Sequence, residues 1–171
     1  MSAGPGGYEA YARLRLIPDP DRPDQLESEA VAGTGGLSDI GKMRRALLSL
    51  ATFTSTPESV YFGVWDGYSD VRLPPALSRG PLLKLASREY AVLHGRLEDI
   101  GGWERLLGTE SDLPPALVWP EDRRWCVVCD VDAHWAGIAA TREAVDRLRA
   151  DDGLDVVVWR PEDVRGLRTY L

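Results

Sequence analysis

Short β-rich segments follow one another along most of this chain, and few helical segments separate them. Apolar alternation and β-branched or aromatic runs, bounded by Pro, Gly and Asp-Gly turns, identify the expected strands. Consecutive strands with few crossover helices favour antiparallel pairing, whereas a regular strand–helix alternation favours a doubly wound fold. The sequence therefore predicts an α+β fold with a mostly antiparallel or mixed sheet and helices packed on one face. The predicted strands cover 8–17, 59–65, 81–86, 89–97, 117–119, 125–131, 135–139 and 154–159.

Two segments of the chain have the residue spacing of amphipathic helices. Ser38 is the expected N-cap of a helix over 39–53, in which apolar residues recur every three or four positions. Thr141 is the expected N-cap of a second helix over 142–150. We also predict a short helix over 98–107, although two adjacent glycines weaken it.

The chain has 171 residues, which is about the size of one domain. We predict a single domain over 1–171, with a flexible N-terminal segment over 1–7 and a long surface loop over 18–37. No apolar run reaches the roughly 18 residues that a membrane span needs. Residues 1–7 lack the pattern of a signal peptide. We therefore expect a cytoplasmic protein that has no membrane partner.

The net charge of −7 is concentrated in one segment of the chain. Residues 98–132 contain nine acidic and three basic residues. A negative protein is a poor candidate for nucleic-acid binding, because that function needs a basic face. The acidic segment is typical of a solvated surface. The more specific interpretation is a patch that docks a basic protein partner, whose association exposed charges would accelerate.

Cys126 and Cys129 form a Cys-Val-Val-Cys sequence within a predicted strand. Residues three apart in a strand point to opposite faces. That geometry suits neither a disulfide between the two cysteines nor two ligands of one zinc ion. We predict two reduced thiols, at least one of them buried.

Asp130 and Asp132 are two residues apart, so a strand would place both carboxylates on one face. Such a pair can hold a divalent cation, and Asp66 could add a ligand from another strand end. This pattern supports an alternative function, a metal-dependent hydrolase. The chain lacks a Gly-rich phosphate loop and the H-E-x-x-H and G-x-S-x-G motifs. We accordingly predict no catalytic residue, no metal site and no cofactor.

Six tryptophans are an unusual number for a chain of this length. One interpretation is a Trp-rich core whose indole N–H groups bond to loop carbonyls. The other is that one or two of them, together with Tyr61 or Tyr68, form an exposed interaction surface. The two histidines, His94 and His134, are isolated, and we expect structural or surface roles for them. The tryptophans are Trp65, Trp103, Trp119, Trp125, Trp135 and Trp159.

The segment 118–137 contains the pattern W-P-x-D-R-x-W-x-V-x-x-D-x-D. This segment resembles one found in small uncharacterised proteins of high-GC actinobacteria. The aromatic run 61–68 is similar to a V-W-D/E-G-Y segment of the same proteins. The resemblance covers about residues 59–145. It implies an α+β fold and a bacterial cytoplasmic location, and it carries no activity, cofactor or partner.

The residues of this pattern also have direct structural interpretations. Asp122 can accept backbone N–H groups in a turn, and Trp125 begins the strand that follows. Arg123 can form an ion pair with Asp130 or Asp132 across neighbouring strands, which would explain both acids without a metal. Removing one partner of a buried pair would cost roughly 3–5 kcal/mol. We predict that all five residues are structural.

Together these features predict a small acidic binding protein. The most specific hypothesis is an immunity protein of a bacterial toxin–antitoxin pair, which would cap a basic toxin domain. The alternatives are the metal-dependent hydrolase and a protein–protein interaction module without a toxin. The expected partner-binding residues are acids in loops and helix ends, with two tryptophan anchors: Glu98, Asp99, Trp103, Glu110, Asp112, Trp119 and Glu121.

Overall fold

Eight strands form one sheet in the computed structural model, which describes residues 4–31, 36–68, 73–85, 87–102, 113–129 and 134–160. The strands are β1 (Ala10–Arg15), β2 (Val60–Trp65), β3 (Leu83–Leu85), β4 (Arg88–Gly95), β5 (Leu117–Pro120), β6 (Cys126–Cys129), β7 (Trp135–Ala140) and β8 (Val156–Trp159). The helices are α1 (Glu27–Val31), α2 (Asp39–Leu50), α3 (Pro75–Ser78) and α4 (Arg142–Arg149). Two 3₁₀ turns, Ala51–Phe53 and Leu97–Gly101, complete the described elements.

The strand order is β3-β4-β2-β5-β6-β7-β1-β8, and each neighbouring pair is antiparallel. Strand β1 lies between β7 and β8, so these two strands run parallel to each other on either side of it. Helix α4 makes the crossover between them, and α2 lies on the longer connection from β1 to β2. The predicted α+β class with antiparallel pairing is confirmed.

The two long helices begin at the predicted N-caps. The Ser38 hydroxyl accepts a hydrogen bond from the Gly41 N–H, and the Thr141 hydroxyl accepts one from the Ala144 N–H. Each bond satisfies an N–H that has no partner within the helix. Local sequence therefore determines where α2 and α4 start.

The main core lies between the sheet and the helices α2 and α4, as predicted for helices on one face. Strand alternation directs one set of side chains towards this core and the other set towards the opposite face. Trp125 is the largest of the fully buried side chains. The helical residues buried in this core are Met43, Ala46, Leu47, Leu50, Ala144, Val145 and Leu148.

The opposite face of the sheet is rich in aromatic and polar side chains. Part of it is covered by the N-terminal segment, where the Tyr8 hydroxyl donates to the Arg123 carbonyl at 2.9 Å. The Tyr11 hydroxyl donates to the Pro5 carbonyl at 3.1 Å. Residues of the described N-terminal segment are therefore anchored across the sheet.

The structure also contains short helices that the sequence patterns did not predict. Helix α1 lies inside the segment predicted as a long loop over 18–37, and α3 lies between β2 and β3. The helix predicted over 98–107 is a 3₁₀ turn at Leu97–Gly101, and residues 103–107 lie outside the described residues. None of the described helices is long and apolar enough to cross a membrane.

Candidate functional site

Three chain segments meet at one edge of the sheet, where β4 ends, β2 begins and β5 ends. Val60 pairs with Gly95 on one side and with Pro120 on the other. Beyond the strands, the Leu97 N–H donates to the Pro57 carbonyl and the Glu121 N–H donates to the Ser59 carbonyl, both at 2.9 Å. We name this region the acidic–aromatic edge. It comprises Ser59, Tyr61, His94, Glu98, Asp99, Trp119 and Glu121.

The aromatic part of the edge is a row of three rings. The antiparallel registers place Tyr61 directly between His94 and Trp119. The Tyr61 and Trp119 rings are stacked, with centroids 5.4 Å apart and planes 16° from parallel. The His94 ring lies 4.9 Å from Tyr61, and its Nε2 is hydrogen-bonded to the Ser59 hydroxyl at 2.9 Å. Because each ring is held by its neighbours, the row is a preformed surface.

The rings of this row are also accessible to a partner. His94 is exposed, and Tyr61 and Trp119 are half-buried. Tyrosine and tryptophan side chains dominate the energetics of protein interfaces, because they bury a large area at a small entropic cost. The row therefore has the chemistry of an interface anchor.

Three exposed carboxylates lie on the turns at this end of the sheet: Glu98, Asp99 and Glu121. The Asp99 carboxylate accepts a hydrogen bond from the Arg96 N–H at 2.7 Å and so caps the 3₁₀ turn. Glu98 lies 3.7 Å from the exposed Arg96 guanidinium. Glu121 has no ion-pair partner within the described part of the chain. Glu98 and Glu121 are consequently the carboxylates most available to a basic partner.

Asp122 holds the turn that carries Glu121. Its carboxylate accepts hydrogen bonds from the Thr54 hydroxyl at 2.8 Å, from the Ser55 N–H at 2.7 Å and from the Ser55 hydroxyl at 3.0 Å. It also accepts the Arg124 N–H at 3.2 Å, which confirms the predicted role in the turn. Partial burial opposes ionisation, but these hydrogen bonds outweigh it and lower the pKa of Asp122.

Replacing Asp122 with alanine is expected to lower the free energy of unfolding by about 2–4 kcal/mol, because hydrogen bonds to a charged group contribute about 1.5–3 kcal/mol each and do not add fully. Since the folded-state pKa is depressed, this contribution is present above the unfolded-state pKa and is lost as the pH falls through the folded-state value. Urea unfolding of the wild type and the variant at neutral and acidic pH measures both effects. The Asp122→Asn control keeps the size of the side chain, but it removes the pH dependence of the free energy of unfolding that this carboxylate causes. If the free energy of unfolding of the alanine variant lies within about half a kcal/mol of the wild-type value, the carboxylate does not hold the turn.

The structure corrects the interpretation of Arg123. This residue has a φ of 54°, in the left-handed region, and its side chain is exposed. An exposed guanidinium cannot form the buried ion pair that the sequence pattern suggested, so the expected cost of 3–5 kcal/mol does not apply. Its proposed partners, Asp130 and Asp132, lie outside the described residues. The described contact of Arg123 is made by its backbone carbonyl, which accepts the Tyr8 hydroxyl.

Four of the seven predicted partner-binding residues come together at the acidic–aromatic edge: Glu98, Asp99, Trp119 and Glu121. The other three, Trp103, Glu110 and Asp112, lie outside the described residues. Sequence reasoning named Tyr61 as a candidate for an exposed aromatic surface, but it missed His94 and Ser59 as members of the same edge. The sequence pattern indicated that Tyr61 and His94 lie on strands. Only the register between β2, β4 and β5 in the structure shows that they are neighbours.

The metal-site hypothesis involves the opposite edge of the sheet. Asp66 follows the end of β2, and its N–H donates to the Glu89 carbonyl at 3.0 Å. The antiparallel pairing of β2, β5 and β6 places the end of β6 at the same edge. Asp130 and Asp132, the other two proposed ligands, lie outside the described residues. Among the described residues, no group of three His, Cys, Asp or Glu side chains could hold a metal ion.

The two cysteines are free and buried, in agreement with the prediction. Cys129 contributes to the core beneath the helices, whereas Cys126 pairs with Ala139 in the neighbouring strand. Burial raises the pKa of both thiols to about 12, which leaves little of the reactive thiolate at neutral pH. The Cys-Val-Val-Cys segment thus has the properties of structural thiols.

The tryptophans divide between the two interpretations. Trp125 and Trp159 are buried, and Trp65, Trp119 and Trp135 are half-buried. Within the described part of the chain, the Trp125 indole N–H has no hydrogen-bond partner, contrary to the expected bond to a loop carbonyl. Trp103 lies outside the described residues.

No family model, curated protein or solved structure matches this chain. The resemblance to small actinobacterial proteins therefore stays a prediction. Any functional conclusion rests on the geometry of the acidic–aromatic edge.

Proposed function

We propose that this chain is a binding protein that docks a basic protein surface on its acidic–aromatic edge. The partner class we favour is a bacterial toxin domain, which would make the chain an immunity protein. The observation that carries the proposal is the stacked Tyr61–Trp119 pair, with the exposed Glu98 and Glu121 on turns at the same strand ends. A central aromatic anchor with a charged rim is the usual anatomy of a specific interface.

The two parts of the edge would act on different steps of binding. Exposed carboxylates attract a basic partner over a distance of about one Debye length, roughly 8 Å at physiological salt, and so increase the association rate. The aromatic pair loses water only when the complex is formed, and it therefore controls the dissociation rate. The effects on the association rate and on the dissociation rate can be tested with separate variants.

The experiment mixes the purified chain in stopped flow with its candidate partner, the product of the gene adjacent to its own. The double variant Glu98→Lys/Glu121→Lys is expected to slow association about tenfold at low salt and to approach the wild type near 0.5 M salt. Trp119→Ala is expected to raise the dissociation rate at least tenfold. In a growth assay, co-expression of the wild-type chain should protect cells from the toxin, and the Trp119 variant should protect them less.

The matched control is Glu143→Lys/Asp152→Lys, which reverses two exposed acids near α4 and changes the net charge equally. This control should associate at nearly the wild-type rate. If it slows association as much as the edge variant, the general negative charge of the chain is responsible, and the edge is not the docking site. If the adjacent gene product neither binds nor is neutralised, the immunity hypothesis is wrong.

A further inference from the structure

A second candidate surface lies on the outer side of the helices, away from the acidic–aromatic edge. Here α2 and α4 form a groove of about 550 Å³. Leu37 and Leu48 line it and are 46% and 43% exposed, which is high for large apolar side chains. Leu37 immediately precedes the N-cap Ser38, whereas Leu48 lies in the last turn of α2. The groove therefore follows α2 over most of its length, as a docking surface for a second helix would.

The groove is also strongly basic in a protein whose net charge is −7. Its lining includes Arg44, Arg45 and Arg147 and no carboxylate. The Arg45 guanidinium is bound by Asp151, with Nε to Oδ2 at 2.9 Å and Nη2 to Oδ1 at 2.5 Å. Neither Arg44 nor Arg147 has a hydrogen-bonded or ion-paired carboxylate within the described residues. The Arg44 guanidinium is thus available to a ligand, and that of Arg147 has Asp151 as a charged neighbour but forms no ion pair with it.

Gly41 lies in the groove between the two leucines in sequence. A Cβ atom at this position would lie 3.2 Å from the Leu37 Cβ and 3.3 Å from the Ser38 hydroxyl oxygen. A side chain would crowd these atoms and fill part of the groove. Because glycine has no side chain, a ligand can approach the backbone of α2 closely at this position.

We propose that this groove binds an acidic amphipathic helix of a protein partner. Apolar residues of the ligand helix would contact Leu37 and Leu48, and its flanking carboxylates would pair with Arg44 and Arg147. Complementary charge selects an acidic ligand, and the exposed leucines along α2 suit the apolar face of a helix. An anionic membrane also attracts arginines and leucines, and it is the alternative ligand for this surface. This surface is separate from the proposed toxin-docking edge, and either can fail without the other.

The test measures fluorescence anisotropy with a labelled 18-residue peptide that has leucines at helical spacing and glutamates on its other face. We expect micromolar binding that weakens as salt is raised. The variant Arg44→Glu/Arg147→Glu should lose at least tenfold in affinity, and Leu48→Ser should lose several-fold. Arg79→Glu, which changes an exposed arginine outside the groove, should bind as the wild type does. Circular dichroism establishes that each variant is folded.

Several outcomes would overturn the proposal. They are no binding of the peptide, equal binding of a scrambled peptide of the same composition, and affinity unchanged by reversal of both arginines. A co-sedimentation arm with phosphatidylserine vesicles tests the membrane alternative. If the chain binds these vesicles and the binding depends on Arg44 and Arg147, the ligand of the groove is a lipid surface and not a helical peptide.

Discussion

Replacing Trp125 with alanine is expected to lower the free energy of unfolding by about 3–5 kcal/mol, which is the usual cost of truncating a large buried aromatic side chain. The Trp125 side chain is fully buried in the core between the sheet and the helices. Its loss removes apolar contacts and leaves a cavity that the surrounding strands and helices can fill only in part. For a protein of this length, the melting temperature should fall by roughly 10 °C. Thermal unfolding followed by circular dichroism measures it.

The Trp125→Phe variant provides the informative comparison. The buried indole N–H of Trp125 has no hydrogen-bond partner among the described residues, a situation that typically costs about 1–3 kcal/mol. Phenylalanine is smaller than tryptophan, but it removes this unpaired group. The two effects oppose each other, so we expect the variant to lie within about 1–2 kcal/mol of the wild type. A loss as large as that of alanine would show that the N–H makes no unfavourable contribution.

The second large effect is expected for Arg13→Ala. The Arg13 guanidinium donates to both carboxylate oxygens of Asp19, at 2.8 and 2.9 Å. It also lies 5.6 Å from the centroids of both the Trp135 and the Trp159 rings. Breaking a fully buried pair costs roughly 3–5 kcal/mol. Because Asp19 is partly exposed and Arg15 still contacts it at 3.2 Å, we expect a smaller loss of about 2–3 kcal/mol. Chemical denaturation at neutral pH measures the loss.

Arg15→Ala is the matched control for this prediction. The Arg15 side chain is more exposed than that of Arg13 and forms ion pairs with Asp19 and Asp155 near the surface. Exposed pairs of this kind contribute about 1 kcal/mol or less. Burial opposes ionisation of Asp19, but hydrogen bonds and charge from the two arginines outweigh it and lower the pKa of Asp19. Its stabilisation is therefore lost as the pH falls through the folded-state pKa, and Arg13→Ala should show less of this acid dependence. Equal losses from the two arginine variants would contradict the account.

Features set by neighbouring residues could be predicted from the sequence. Ser38 and Thr141 act within their own helix turns, and Asp122 accepts the N–H of Arg124 two residues later. The β-rich runs likewise indicated strands, because side-chain alternation is local. These elements needed no knowledge of the rest of the chain.

Features set by distant residues could not be predicted in the same way. Tyr61 meets His94 and Trp119 only through the register of three strands. Arg123 appeared suited to a buried ion pair, but the turn after β5 places it in a left-handed conformation at the surface. The sequence could not show which tryptophans are buried and which are half-buried, because both kinds occupy strand ends.

Hydrogen–deuterium exchange of this chain, free and bound to the candidate partner encoded by the neighbouring gene, tests the central claim most directly. The account predicts slower exchange on binding in the segments 57–61, 94–101 and 117–121, which form the acidic–aromatic edge. Exchange in α2 should stay unchanged, because its outer face is a separate surface. Protection confined to α2 and α4, with exchange at the edge unaltered, would contradict the claim that the edge docks the partner.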